Sequence, residues 1–393
     1  MTNIHNLFFF LIRTEVCGAK SQEVSKQNII GSTLQSLFDF AKTHDMAHII
    51  AEPLLKNKLI PGELAASFRK ELMMAVFRSE RLSDETKRMC ELFEENKIPH
   101  LPLKGAVLRN YYPEPWMRTS CDVDILVKQC DLQRASDLLV GKLGYTLESK
   151  LSHDWGFFTP DGFHIELHFD LIEQEVASDG IVNHKWSSAC LDNVWSLVSC
   201  DEGKEYSYHM SDELFYFYHI AHMAKHFERG GCGVRSLLDL WILNHKIEQN
   251  ETERKRLLVE NGLSTFSDVM TNLSEDWFSK DTCRSELEHI SEYILYGGVY
   301  GNSANSIAVR QNKSGGKIAH FFSMVFLPYY SMKLQYPILE KHKWLLPVCY
   351  IRRIFRTIFL RFNRIQSSVK NLTNTSQVTL DKTKTMLKDL GLY

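Results

Sequence analysis

The sequence predicts an α+β fold, a small mixed-sheet core flanked by N-terminal and C-terminal helical regions. Apolar residues recur at intervals of three and four over most of the first 97 positions and again from Ser211, the spacing of one helix face. From Ile98 this texture gives way to short apolar runs separated by Gly and Pro. Within those runs polar and apolar side chains alternate, as in Asp122 to Val127 and His164 to Phe169, which is the pattern of half-buried strands. The resulting division is 1–97 for an N-terminal helical region, 98–175 for the core, 176–315 for a helical domain and 316–393 for a basic helical C-terminal region.

Length and composition set outer limits. A chain of 393 residues is long for one hydrophobic core. With 44% hydrophobic and 24% charged residues it is globular rather than disordered or fibrous. A formal net charge of -2 gives no whole-protein argument for nucleic acid or membrane binding. Nine cysteines, none in a CxxC pair, suit a reducing cytoplasm and argue against a disulfide framework or a zinc ribbon. The apolar run Leu7 to Ile12 has no basic residue before it, and Arg13, Glu15 and Lys20 follow, so it reads as a buried first helix rather than a signal peptide. No apolar run approaches the roughly 18 to 20 residues that span a bilayer. A soluble, cytoplasmic protein is the expectation.

In the N-terminal region, Ser32 and Thr33 can cap a helix carrying Leu34, Leu37, Phe38 and Ala41. A second helical span follows Pro61 and Gly62, with Leu64, Phe68, Leu72 and Val76 on one side, and runs on through Met89, Leu92 and Phe93. The core opens with a short strand, His100 to Leu103, a Lys104-Gly105 turn and a helical turn. A Pro-broken loop carrying Arg118 leads to a strand with Asp122 and Asp124. Residues two apart on a strand share a face, so both carboxylates point one way while Val123, Ile125 and Val127 enter a core. Two adjacent carboxylates repel unless a cation or a shared proton relieves them, which points to a divalent metal.

A helix from Leu132 to Leu143 and a strand from Gly144 come next, then two runs flanking a Pro160-Asp161-Gly162 turn, read as a hairpin. In its second strand His164, Glu166 and His168 face one side, which makes Glu166 a third carboxylate for the same site. From Ser211, a capped helix carries His219, His222 and His226 on one face. Gly230, Gly231 and Gly233 end it, and a helix near Val234 places Arg235 and Asp239 four apart, able to pair. Gly297 to Lys317 reads as a flexible Gly/Ser/Asn-rich connection. Lys317 to Lys370 holds ten basic residues and one acid, Glu340. There Ile351, Ile354, Phe355, Ile358, Phe359, Phe362 and Ile365 form an apolar stripe opposite five arginines. This basic amphipathic helix, 351–366, has a buried apolar stripe with solvated arginines as its plain reading, and an anionic membrane surface or RNA as its possible partners.

The chemistry follows from these positions. Magnesium, with manganese as the alternative, prefers carboxylate, water and phosphate oxygens, which Asp122, Asp124 and Glu166 would supply as metal ligands and catalytic carboxylates. Gly105 lets backbone approach phosphate, and Lys104 and Arg118 would offset phosphate charge. Lys104 reads equally well as a solvated turn lysine. His168 faces the metal side or satisfies hydrogen bonds beside it. For His222 and His226 a structural or acceptor-contacting role is favoured over metal binding, because no third ligand is in sight. Arg235 and Asp239 are expected to lock the helical domain rather than react.

These residues carry a resemblance. LKGAVL, then Arg118, CDVDILV and FHIELHFD resemble the nucleotidyltransferase superfamily of DNA polymerase beta. With HMAKH and RSLLDLW downstream, they are similar to the bacterial family of uncharacterised nucleotidyltransferases, over residues 30 to 330. The turn also resembles that of abortive-infection toxin nucleotidyltransferases. The resemblance implies transfer of a nucleoside monophosphate from an NTP to an unknown acceptor. Ala106 stands where the broader superfamily has Gly or Ser, so a hydroxyl contact to phosphate is missing. A toxin-like enzyme acting on tRNA or protein, and a non-catalytic nucleotide-binding or scaffold protein, are the alternatives. A glycosyltransferase is disfavoured because the strands are too few for its larger nucleotide-binding domain.

Overall fold

Helices Asn3–Glu15 (α1), Gly31–Thr43 (α2) and Ala47–Lys56 (α3) precede the long helix Gly62–Glu95 (α4) in the computed structural model. It describes residues 3–19, 31–60, 62–151, 153–172, 176–177, 180–181, 186–280, 285–299, 301, 303–313, 326–327, 329–355 and 377–393. The apolar run near the N-terminus is indeed a buried helix, with Phe8, Phe9, Leu11 and Ile12 enclosed. Helix α2 begins at Gly31, so Ser32 and Thr33 sit in its first turn rather than before it. On α4, Phe68, Ala75, Leu82 and Met89 are buried seven residues apart. That seam runs one residue to the side of Val76, which is 38% exposed instead of packed.

The core follows as strand His100–Pro102 (β1), helix Lys104–Leu108 (α5), strand Asp122–Val127 (β2), helix Leu132–Leu143 (α6), and strands Thr146–Lys150 (β3), Asp154–Phe158 (β4) and His164–His168 (β5). The sheet order is β1-β2-β5-β4-β3. The central pair β2 and β5 is parallel, and the other neighbours are antiparallel. One face is apolar: Val123, Ile125, Val127, Phe157, Ile165 and Leu167 pack with Leu82, Met89 and Phe93 of α4 and with Leu132, Ala135 and Leu139 of α6. Strand alternation puts Asp122, Asp124, His164, Glu166 and His168 on the opposite face. The hairpin forms as its sequence implies, with Thr159 and Phe163 closing the turn and Gly162 at φ 83. Strand β3 starts at Thr146 rather than Gly144. Gly144 takes the left-handed conformation that ends α6, and the Tyr145 backbone N–H turns back to Leu139 O at 3.1 Å.

The helices that follow among the described residues include Ala189–Asp192 (α7), Asp212–Glu228 (α8), Val234–Lys246 (α9), Glu251–Glu260 (α10), Ser264–Phe278 (α11), Glu288–Leu295 (α12), Ser303–Lys313 (α13), Tyr329–Gln335 (α14) and Gln377–Asp389 (α15). The Ser211 side chain caps α8 by accepting from Leu214 N at 3.3 Å. Helices α1, α2 and α3 share one buried cluster with α8, α9 and α11, and Phe9 packs on Trp277 with ring centroids 4.7 Å apart.

Two expectations change here. The Gly297 segment is packed, not a free connection. A Cβ at Gly301 would lie 2.2 Å from Gly230 O, and one at Gly233 would lie 2.8 Å from Val299 Cα, so these glycines serve close backbone approach. Its continuation is the helix α13. At the C-terminus residues 346–355 are helical. Ile351 and Phe355 of the expected apolar stripe are exposed at 57% and 58%. The rest of the basic helix, 356–366, lies outside the described residues. Among the described residues, no helix is long and apolar enough to cross a membrane.

Candidate active site

The site is assembled where the end of β1 meets the start of β2. Leu103 N donates to Asp124 O at 2.9 Å, which pins the Lys104-Gly105 turn beside the aspartates. Buried Arg109 fastens the same turn from beneath: its Nε donates to Gly105 O at 3.0 Å and its Nη2 to Ser120 Oγ at 3.2 Å. Ser120 in turn donates to Asp122 O at 3.0 Å. A Cβ on Gly105 would only touch Ser120, at 3.5 Å, so the glycine is not demanded by packing. Its bare backbone instead borders an open cavity.

The parallel register sets Asp122 beside His164 and Asp124 beside Glu166. Possible ligand atoms of Asp122, His164 and Glu166 lie within 4.8 Å of one another, and so do those of Asp124, Glu166 and His168. Glu166 belongs to both sets. Burial, followed by the charges of Asp124 and Glu166, pushes the Asp122 carboxyl up to about 7. Burial alone would lower His168, but its hydrogen bonds to Asp124 and Glu166 bring it up to about 10.

The cavity measures about 250 Å³ and lies between this face and helices α8 and α9. Lys104, Gly105 and the three carboxylates form one side; His222, His226 and Arg235 form the other. Lys104 is not a solvated turn residue: it is 8% exposed, and its Nζ donates to His222 Nδ1 at 3.3 Å. Burial lowers it to about 8. Burial, then the charge of Lys104, holds both His222 and His226 well below the usual histidine range. Both rings are therefore uncharged at neutral pH. Among the described residues neither joins a group of three possible metal ligands.

The buried pairs differ from the sequence reading. Asp239 does not pair with Arg235, four residues away on its own helix. It accepts from Arg118 Nε at 2.7 Å, from Arg118 Nη2 at 2.9 Å and from the Tyr112 hydroxyl at 2.7 Å. Arg235 instead donates to Asp45 Oδ2 at 2.9 Å and to Thr119 O at 3.1 Å. Side chains four apart on a helix are neighbours, yet α9 is buried, and each finds a stronger partner across the tertiary contact. Arg118 borders the cavity with its planar fork already spent on Asp239, so it does not present a free fork to phosphate. Burial alone would raise Asp239, but Arg118 and Lys104 hold it at about 2.

A family model described as "Uncharacterised nucleotidyltransferase" matches residues 32–279, well over half of the chain. The chain belongs to this family of uncharacterised nucleotidyltransferases. The match takes in every cavity-lining residue from Lys104 to Ser236 and leaves out Val299. A solution structure of the antibiotic-resistance factor ANT(2'')-Ia is similar over 47% of this chain and 91% of that one, at 10% identity. Its TM-score of 0.31 is too low to equate the two folds. No match is found among curated proteins.

In this nucleotidyltransferase-family chain, further cavity residues escaped the sequence reading: Ser120, Tyr218 and Lys225 among them. Helix α8 is buried on nearly all sides, so polar residues on it are necessarily interior. Tyr218 and Lys225 stand four before and three after His222. Extending the histidine face by one turn each way would have found them.

Proposed function

We propose that this chain transfers a nucleoside monophosphate from an NTP to an acceptor hydroxyl or phosphate, with Asp122, Asp124 and Glu166 holding a divalent cation, magnesium or manganese. The observation that carries this reading is the opening of three carboxylates, from two adjacent parallel strands, into one cavity beside Lys104 and opposite the helical wall of His222, His226 and Arg235. The donor set fits such an ion. The upward push on Asp122 reflects burial and repulsion by the other two carboxylates, and a cation among them relieves the repulsion. When bound, the ion supplies charge neutralisation for the triphosphate and lowers the pKa of an attacking hydroxyl.

The chain's own groups do the positioning. Lys104 directs an ammonium at the phosphates, and Gly105 lets backbone approach them without a side chain in the way. Arg118, held by Asp239, adds a fixed positive field behind that turn. His222 and His226, uncharged, offer hydrogen bonds to the acceptor from the opposite wall. The acceptor oxygen, a hydroxyl giving up its proton to solvent, then bonds to the α-phosphorus as the bond from that phosphorus to the bridging oxygen breaks and pyrophosphate leaves. Incubation with labelled NTPs, magnesium or manganese and a cell extract should label one acceptor class. No labelled product with any NTP would overturn the reading.

A pH dependence follows from Lys104. Its folded-state pKa of about 8 lies below the usual lysine value, so its charge is present at neutral pH and is lost as pH rises through 8. NTP affinity is expected to fall about tenfold per pH unit above that point if one proton is required. Lys104→Arg should flatten the decline, because a guanidinium stays charged throughout this range. Fluorescence titration of an NTP between pH 7 and 9.5 measures both; a flat wild-type profile would remove Lys104 from the phosphate site.

A further inference from the structure

The three carboxylates do not stand alone on their face of the sheet. Glu166 lies between two histidines on the same strand, each turned toward it. His168 Nε2 is 3.2 Å from Glu166 Oε2 and 3.4 Å from Asp124 Oδ1. His164 Nδ1 is 3.6 Å from Glu166 Oε1. Adjacent ligands of an octahedral ion with bonds of about 2.1 Å are about 3 Å apart, so small side-chain shifts would bring each imidazole onto an ion with its own carboxylate pair, His164 with Asp122 and Glu166 and His168 with Asp124 and Glu166. Resting on the metal-site reading above, we infer that His164 and His168 are themselves metal ligands, making mixed imidazole–carboxylate sites that share Glu166 and select manganese over magnesium.

The surroundings of His164 support this role. Its other nitrogen, Nε2, donates to Glu148 at 3.1 Å, the outer hydrogen bond that typically orients a metal-bound histidine. The neighbouring strand leaves room for that arrangement. Gly156 sits opposite Glu166 in the pairing, and a Cβ there would lie 3.2 Å from His164 Nε2 and 2.8 Å from Ser149 Oγ. His168 is held more deeply, with its side chain 13% exposed. A plain reading also exists, in which both histidines only neutralise the carboxylates. The ligand chemistry separates the two. Magnesium keeps oxygen ligands and gives up water reluctantly, whereas imidazole nitrogen favours first-row transition ions.

The test uses the full chain with manganese or magnesium alone, read by calorimetry and by pulsed electron paramagnetic resonance of the manganese-loaded protein. Manganese should bind about tenfold or more tightly than magnesium, and the bound ion should show imidazole nitrogen coupling. His168→Gln and His164→Asn, which keep a polar atom near each coordinating nitrogen, should each weaken that coupling. Together they should abolish it and most of the manganese preference. Glu148→Gln should weaken manganese binding by about tenfold with the fold unchanged. Manganese bound without nitrogen coupling in the wild type, or coupling that survives the double substitution, would overturn the inference and leave the carboxylate site standing. Failure of both ions to bind, with or without NTP, would overturn both.

Discussion

Asp122→Asn is expected to abolish nucleotidyl transfer while leaving the protein folded. The substitution keeps the shape of the side chain and removes one of the charges that would hold the cation, and loss of such a preorganised group costs about 10²–10³ in rate or more. Its effect on stability should have the opposite sign. In the wild type, burial and the charges of Asp124 and Glu166 raise this carboxyl to about 7. The folded state therefore binds a proton more tightly than the unfolded state does, and metal-free stability should decline as pH rises from about 4 through 7. The Asn variant lacks this term. Its metal-free melting temperature at pH 7.5 should equal or exceed that of the wild type, and saturating cation should raise it less. A variant that unfolds would show a structural aspartate instead.

Asp239→Ala is expected to produce the largest loss of stability, about 3–5 kcal/mol in urea unfolding. Arg118 and Asp239 side chains are 7% and 1% exposed, and their hydrogen bonds are joined by the Tyr112 hydroxyl. Removing the carboxylate leaves a buried guanidinium without its counter-charge and a buried phenol without its acceptor. Replacing the pair together, Arg118→Met with Asp239→Leu, should recover much of the loss, since it leaves no charge unpaired. A loss below about 1 kcal/mol for Asp239→Ala would mean that the pair is solvated in solution. The double variant also separates roles. If Arg118 acts only as a fixed positive field behind the turn, transfer should fall while folding largely returns.

Legibility in the sequence followed the range of the interactions. The period of two along Asp122 to Val127 and His164 to Phe169 fixes which side chains share a face, so three of the cavity's acids are legible from residue order alone. The hairpin was readable because Pro160 and Gly162 impose local geometry. What failed was tertiary partnering. The spacing of Arg235 and Asp239 suggested a helix pair, yet Asp45, 190 residues before Arg235 in the chain, and Arg118, 121 before Asp239, are the true partners. Lys104 carried no local sign of burial, because α8 covers it from a distant stretch of chain. The glycines from Gly297 suggested flexibility, whereas the backbone of Gly230 to Gly233 packs against them. Helix α3 was not separated from its neighbours, since a continuous helical texture does not show where a chain turns.

The most direct test of nucleotidyl transfer follows the phosphorus atoms. Parallel incubations with NTP labelled at the α-phosphate or at the γ-phosphate, each with divalent cation and cell extract, should place the α-label on an acceptor and release the γ-label as pyrophosphate. Asp122→Asn should do neither. Transfer of the γ-label to the acceptor would assign this cavity to phosphoryl transfer, and α-label transfer undiminished in the Asp122→Asn protein would place the chemistry elsewhere in the chain.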